Sequence, residues 1–304
     1  MHTVHLVDAS PYIFRAHFSL PSSIKSPTGE RTGAVYGFAS FLLKLIADEK
    51  PTHLGVAFDR NLNGSFRNDY YPAYKAQREA PPPEIVAQID PCLEVAAALG
   101  ATTWIDDRYE ADDLIATVCE AVTQRGHQVV VVTSDKDLAQ LVSDRVTLLD
   151  FAKEARFTPD DVREKFGVRP EQITDLLALA GDPVDNIPGV PGIGRKTAAE
   201  LLAAFGSVED LYARLEELRV SRIRGARSLY TKLTDARESA FLSKRLATVA
   251  HDAPLDPPAE KLAADGLRAL AYRGADTGRV GELFDRLGFK GIRERVPAAP
   301  GQEG

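Results

Sequence analysis

The chain has 304 residues, enough for one large core or one core with a smaller appended lobe. Its composition, 44% hydrophobic and 27% charged, is that of an ordinary soluble globular protein, and the opening Met-His-Thr-Val-His-Leu-Val-Asp has no basic n-region and no long apolar run. Neither a secretory signal nor a membrane span is expected, and the net charge of −7 excludes an evenly basic nucleic-acid binder. Charge distribution decides more than its sum: aspartates fall in tight groups that cations can neutralise, while Arg195 to Arg245 is locally basic.

In chain order, Thr3–Val7 reads as a buried strand ending at Asp8, followed by a helix carrying Arg15. Residues 26–33 form a turn-rich loop, Ala34–Glu49 an apolar helix, and His53–Phe58 a second strand that again ends in a carboxylate, Asp59. Asn61–Pro83 has no clean period and is rich in Tyr, Arg, Lys and Pro. Thr102–Ile105 reads as a strand, Ala111–Arg125 as a helix, Gln128–Thr133 as a strand running into Ser134-Asp-Lys-Asp137, and Val146–Phe151 as a fifth strand. This alternation predicts an α/β fold: a mostly parallel central sheet with helices on both faces. Past about residue 155 the strand signal stops and helices dominate, which predicts a helical lobe. Cys92 and Cys119 lie in helical apolar segments without CxxC spacing and read as buried, reduced thiols of a cytoplasmic protein.

The chemistry lies in the carboxylates. Asp8, Asp59, the group Glu110, Asp112 and Asp113, the pair Asp135 and Asp137, and the pair Asp182 and Asp185 fall at or near predicted strand ends or tight turns. In an open parallel sheet the strand C-termini form the ligand edge. Taken singly, Asp112 or Asp113 also reads as a helix-start residue, Asp135 as a cap, and Asp182 and Asp185 as turn formers. Gathered at one edge, such groups repel one another unless cations share the site, and oxygen-only donors suit Mg²⁺ or Mn²⁺ rather than zinc. Two such ions about 3.5–4 Å apart flank a phosphodiester in two-metal hydrolases.

A second motif is Gly189-Val190-Pro-Gly192-Ile193-Gly194-Arg195-Lys196-Thr197, a tight Gly/Pro turn before an amphipathic helix. Glycines let a backbone approach phosphate closely, the helix N-terminus offers free N–H groups, and Arg195 and Lys196 add charge. Such a hairpin grips a DNA backbone without reading bases.

Leu6-Val-Asp-Ala-Ser-Pro-Tyr-Ile-Phe-Arg, Val56-Ala-Phe-Asp, Tyr109-Glu-Ala-Asp-Asp-Leu-Ile-Ala-Thr, Thr133-Ser-Asp-Lys-Asp-Leu and Gly181-Asp-Pro-Val-Asp-Asn-Ile-Pro-Gly together resemble the 5′-nuclease, or flap endonuclease, family. That family includes the N-terminal 5′–3′ exonuclease domain of bacterial family-A DNA polymerases, and the resemblance runs from residue 3 to about residue 290. It implies a first metal environment of Asp8, Asp59, Glu110, Asp112 and Asp135, and a second of Asp113, Asp137, Asp182 and Asp185. It also implies a helix–three-turn–helix at 186–205 that holds K⁺ through backbone carbonyls and contacts duplex phosphates, and an arch at 61–83. There Lys75 and Arg78 would stabilise the scissile phosphate, with Arg15, Arg67 and Tyr74 as further DNA contacts; Tyr74 or Tyr12 would stack on a base, although Tyr74 also reads as a packing residue and Arg67 as a carboxylate partner.

The implied organisation is a catalytic core over 1–155, a helical lobe over 156–296 and a disordered tail over 297–304. The implied enzyme is a stand-alone, monomeric, cytoplasmic and nucleoid-associated 5′–3′ exonuclease and flap endonuclease with no membrane partner. It would act on branched, nicked or 5′-ended duplex DNA, and on RNA-primer hybrids, leaving 5′-phosphate and 3′-hydroxyl ends. The alternative is a structure-specific DNA-binding protein without catalysis, which gains nothing from unpaired carboxylates beside phosphate.

Overall fold

The structure, a computed structural model, describes residues 1–61, 64–263 and 265–297. The tail expected from Pro297 lies, beyond that residue, outside the described residues, as do two positions near the start of the expected arch. Six strands form one sheet: β1 (Thr3–Asp8), β2 (Leu54–Asp59), β3 (Thr102–Asp106), β4 (Gln128–Val132), β5 (Val146–Asp150) and β6 (Ala155–Phe157). Their order is β3-β2-β1-β4-β5-β6, and all neighbours are parallel except β5 and β6. The three-residue β6 corrects the expectation that strands end by residue 155; it is too short to show a period of two.

The strands are apolar on both faces because both are covered. Val4, Leu6, Val129 and Val131 enter one core with α4 (Ala111–Thr123), and their neighbours Val7, Val130 and Val132 enter the other with α1 (Ser10–Ser19), α2 (Gly33–Glu49) and α3 (Pro83–Ala98). α3 starts on the Pro81–Pro83 run, where the fixed φ of proline suits a first helical turn, and contains Pro91 in its interior. The chain runs from β1 to β2 and β3 on one side, then crosses to β4 on the other. The switch point therefore falls between β1 and β4, where Asp8 ends one strand and Asp135 follows the other.

The remaining helices are α5 (Pro159–Phe166), α6 (Ile173–Ala180), α7 (Arg195–Phe205), α8 (Val208–Ala213), α9 (Leu215–Leu218), α10 (Ala226–Asp235), α11 (Arg237–Ala247), α12 (Ala259–Ala263) and α13 (Thr277–Leu287). Leu176, Leu179, Leu201 and Leu246 from this set belong to the same apolar cluster as Leu6 and Val131, so the helical part shares a core with one face of the sheet. α13 instead packs Leu283 and Phe284 into the other face with α2 and α3. Cys92 and Cys119 are buried free thiols. No helix among the described residues is long and apolar enough to cross a membrane.

Candidate metal-binding active site

A cleft of about 300 Å³ opens at the C-terminal edge of the sheet and is lined by Asp8, Asp59, Glu110, Asp112, Asp135 and Asp185. Asp8 and Asp59 close β1 and β2, Glu110 caps α4, Asp112 lies in its first turn, and Asp135 follows β4. Short polar side chains fix these carboxylates. The Thr133 hydroxyl donates to Asp8 at 2.8 Å and accepts from the Asp135 N–H at 2.9 Å. The Ser10 hydroxyl donates to Asp59, whose other oxygen accepts the Ala111 N–H at 2.8 Å. Ser10 and Thr133 escape a reading of the sequence aimed at charged groups; their signal is position, two residues after Asp8 and two before Asp135.

Crowding has the expected electrostatic result. Burial, reinforced by Asp59, pushes Asp8 well above the usual carboxylate range. Burial, reinforced by Asp135, Asp8 and Asp59, does the same to Asp112. Burial raises Glu110 too, against the pull of Lys75 and Arg67. Such a set is stabilised by bound cations, and its all-oxygen chemistry fits hard divalent ions. Among the described residues no three of these side chains yet converge as a finished metal shell. Two of these carboxylates, Glu110 and Asp185, also pair with the chain's own cations.

Lys75 is central to that arrangement. Its ammonium lies 2.6 Å from Glu110 and 3.7 Å from Asp185. Burial opposes the charge, yet Glu110 and Asp185 raise its pKa above the ordinary lysine range. Arg78 also pairs with Asp185 and lines the cleft. Asp137 and Asp182, the remaining members of the second expected group, lie beside this cleft. Lys136 links them, 3.8 Å from Asp137 and 3.4 Å from Asp182. Burial and the neighbouring Asp135 push Asp137 up to about 7.

The structure departs from several expectations. Asp185, expected with the second group, shares the first group's cleft. Asp113 is fully buried and faces Arg67, itself 2% exposed, through paired bonds of 2.9 and 2.8 Å. Arg67 also donates to the Leu246 and Thr248 carbonyls, and Asp113 accepts the N–H groups of Glu110 and Ala250. This pair ties α4 to the end of α11; it faces neither the cleft nor solvent, which removes Asp113 from the ligands and Arg67 from the DNA contacts. Tyr74 is 3% exposed, with its hydroxyl 3.2 Å from Glu110 and 3.3 Å from Asp185, so it braces the carboxylates and has no face for a base. Tyr12 is likewise buried, stacked on Phe41 at 3.6 Å. Arg15 is exposed on α1.

The expected arch is, over its described residues, a short 3₁₀ turn at Phe66–Asp69 and a run of turns docked on the Asp182–Asn186 loop. Lys75 N–H donates to the Asp185 carbonyl at 3.0 Å, and the Asn186 side chain donates to the Ala73 carbonyl at 2.6 Å.

The glycine hairpin divides into two halves. Gly189, Val190 and Ile193 are buried: the Gly189 N–H donates to Ser243, the Val190 N–H donates to the Leu179 carbonyl, and the Val190 and Ile193 side chains enter the core. A buried N–H that is already bonded cannot also meet a phosphate, which corrects the expected direct contacts of these three residues. Gly192, Gly194, Arg195 and Lys196 are exposed, Thr197 partly so. Gly194 caps α7 without a side-chain bond, which leaves the N–H groups of its first turn pointing outward.

Two family models, curated relatives and solved structures match the chain. Residues 3–167 match the family model of the 5′–3′ exonuclease N-terminal resolvase-like domain, and residues 168–269 that of the 5′–3′ exonuclease C-terminal SAM fold. DNA polymerase I of Bacillus caldotenax is 40% identical over 303 residues, 98% of this chain but 33% of that protein, so the chain spans about a third of the length of such relatives. The fold is that of bacteriophage T5 5′-exonuclease with bound divalent metal ions (zinc): TM-score 0.66, 21% identity, 94% of this chain and 99% of that one. The T5 flap endonuclease in a pseudo-enzyme–product complex with DNA and metal ions aligns over the same shares, with TM-score 0.63 and 21% identity.

Proposed function

The chain belongs to the 5′–3′ exonuclease family, and on that premise we propose that it hydrolyses DNA phosphodiesters near 5′ ends, flaps and nicks with two divalent cations. The observation that carries the reading is one cleft in which seven carboxylates, Glu79 among them, meet Lys75 and Arg78. Asp8, Asp59, Glu110, Asp112, Asp135 and Asp185 would hold one ion, and Asp137 and Asp182 with Asp135 the other. Mg²⁺ or Mn²⁺ supplies activation of water and charge neutralisation at the phosphodiester. Lys75 and Arg78, held at the cleft wall, would stabilise the charge that develops on the phosphate. Thr133 and Ser10 orient the carboxylates and keep their lone pairs directed inward. The products are a 5′-phosphate and a 3′-hydroxyl.

The exposed half of the hairpin, with Arg195 and Lys196, would hold duplex phosphates beside the cleft, and a K⁺ ion at its carbonyls belongs to the same proposal. Selection then follows junction shape rather than base sequence. RNA-primer hybrids are accepted on the same backbone logic, and the enzyme acts as a monomer in the cytoplasm. Asp135→Asn and Asp182→Ala should each cut cleavage of a 5′-flap duplex in Mg²⁺ to below about one hundredth, about 2.7 kcal/mol of transition-state stabilisation. Binding of the same duplex, read by fluorescence anisotropy, should persist. Full cleavage by both variants, or cleavage undiminished in EDTA, would refute the metal mechanism.

A further inference from the structure

Beyond the hairpin, the run from Arg219 to Thr234 contains Arg219, Arg222, Arg224, Arg227 and Lys232 and no carboxylate, within a chain of net charge −7. A stretch of one sign kept in a chain of the opposite sign is the footprint of a polyanion contact. Placement adds to composition. α10 carries Lys232 to the tip of the hairpin, where its ammonium donates to the Gly192 carbonyl at 3.0 Å. Gly192 makes this approach possible: a Cβ there would stand 2.6 Å from the Lys232 nitrogen.

An ammonium has three donors, and the carbonyl takes one. Among the described residues no carboxylate pairs with Lys232, nor with Arg195 or Lys196 across the hairpin. Three cations therefore frame the exposed first turn of α7. Arg222, Arg224 and Arg227 are exposed and form no ion pair among the described residues, whereas Arg219 is held by Glu216. Glu200 and Glu217 line a groove with Arg222 and Arg224, but Glu217 is engaged by Arg214. From Lys232 back to Arg227 is five residues, about 7.5 Å along the helix axis. The two side chains leave the helix about 140° apart, so they extend the cationic surface around α10 as well as along it.

We propose that α10 and the turns leading into it are the second wall of the duplex grip: Lys232 completes a phosphate site at the hairpin tip, and Arg222, Arg224 and Arg227 carry the backbone contact further along the duplex. The inference rests on the hairpin's role as a phosphate grip, and its test separates the two. Binding of a blunt duplex is measured in EDTA over a range of KCl for four proteins: wild type, K232A, the R222A/R224A/R227A triple variant, and the R195A/K196A double variant as reference. Each lost phosphate contact lowers the slope of log K against log salt by about 0.9. K232A should lower it by about one contact and K232R should restore it; the triple variant should lower it by two to three. Thermal melting of each variant reports folding.

An unchanged slope for K232A with a lowered Tm would make Lys232 a brace only and overturn its half of the proposal. An unchanged slope for the triple variant would overturn the other half. If R195A/K196A also leaves the slope unchanged, the hairpin reading itself fails; if it alone lowers the slope, only α10 is excluded.

Discussion

At the scale of single residues, the clearest contrast is between neighbours in Glu110-Ala-Asp-Asp113. Asp112 faces the cleft and its pKa is raised by burial and by other carboxylates, whereas Asp113, one position on, is fully buried against Arg67. Successive helical residues are 100° apart, so one of the two must turn from the cleft. Removing one partner of a buried pair leaves an uncompensated charge, a loss of about 3–5 kcal/mol. Asp113→Asn should accordingly lower Tm by about ten degrees. Mn²⁺ affinity of the folded protein, followed by electron paramagnetic resonance, should change less than about threefold. A variant that keeps its Tm but binds Mn²⁺ far more weakly would return Asp113 to the ligand set.

Among elements, the loop between α6 and α7 joins the two chemistries. Asp182 and Ile187 exchange reciprocal backbone bonds of 2.9 and 2.8 Å, closing the loop that presents Asp185 to the cleft. The loop closes because Gly181 and Gly189 pack backbone to backbone: a Cβ on Gly189 would lie 2.3 Å from the Gly181 nitrogen, and φ is +64°. Gly192, three residues on, meets only the flexible end of Lys232. The two glycines should therefore fail differently. Gly189→Ala should lower both Tm and kcat, because backbone cannot yield, while Gly192→Ala, strained only by its own φ of +75°, should lower Tm by no more than about five degrees, keep kcat and weaken duplex binding a few-fold. Equal losses of duplex affinity in both, with kcat retained in Gly189→Ala, would contradict this division.

The same loop shows what a sequence discloses. Strand-end carboxylates are legible because a parallel sheet imposes both the apolar run and the position of its last residue, as in Leu6-Val-Asp8 and Val56-Ala-Phe-Asp59. The glycine hairpin is legible as backbone chemistry. Which of its glycines is exposed and which meets Gly181 is not, since that depends on packing across the loop. Arg67 and Asp113 lie 46 positions apart and Tyr74 and Asp185 lie 111 apart, and no local pattern announces such partners. In each case a side chain expected at the DNA proved to hold a carboxylate.

For the whole molecule, the acidic balance and the metal site become one thermodynamic statement. Asp8, Asp112 and Asp137 have pKa values raised in the folded, metal-free protein, Asp137 to about 7. The folded state thus binds more protons than the unfolded chain from about pH 4, near the ordinary aspartate value, to about pH 7. The contribution of these three groups to the stability of the metal-free protein falls as pH rises through that window. His5 and His53 act oppositely: burial lowers both, so their contribution is lost as pH falls below about 6.5. Asp137→Asn removes one raised carboxylate and leaves the histidines, so in EDTA at pH 8 it should melt a few degrees above wild type, and at pH 5 near it. Divalent ions need the deprotonated carboxylates, so the rise in Tm from about 10 mM Mg²⁺ should be larger at pH 8 than at pH 6. Calorimetric melts at the two pH values, with and without Mg²⁺, decide the matter. A Mg²⁺ shift of equal size at both, or an Asp137→Asn variant less stable than wild type at pH 8 in EDTA, would mean that the crowded carboxylates are not what the metal relieves.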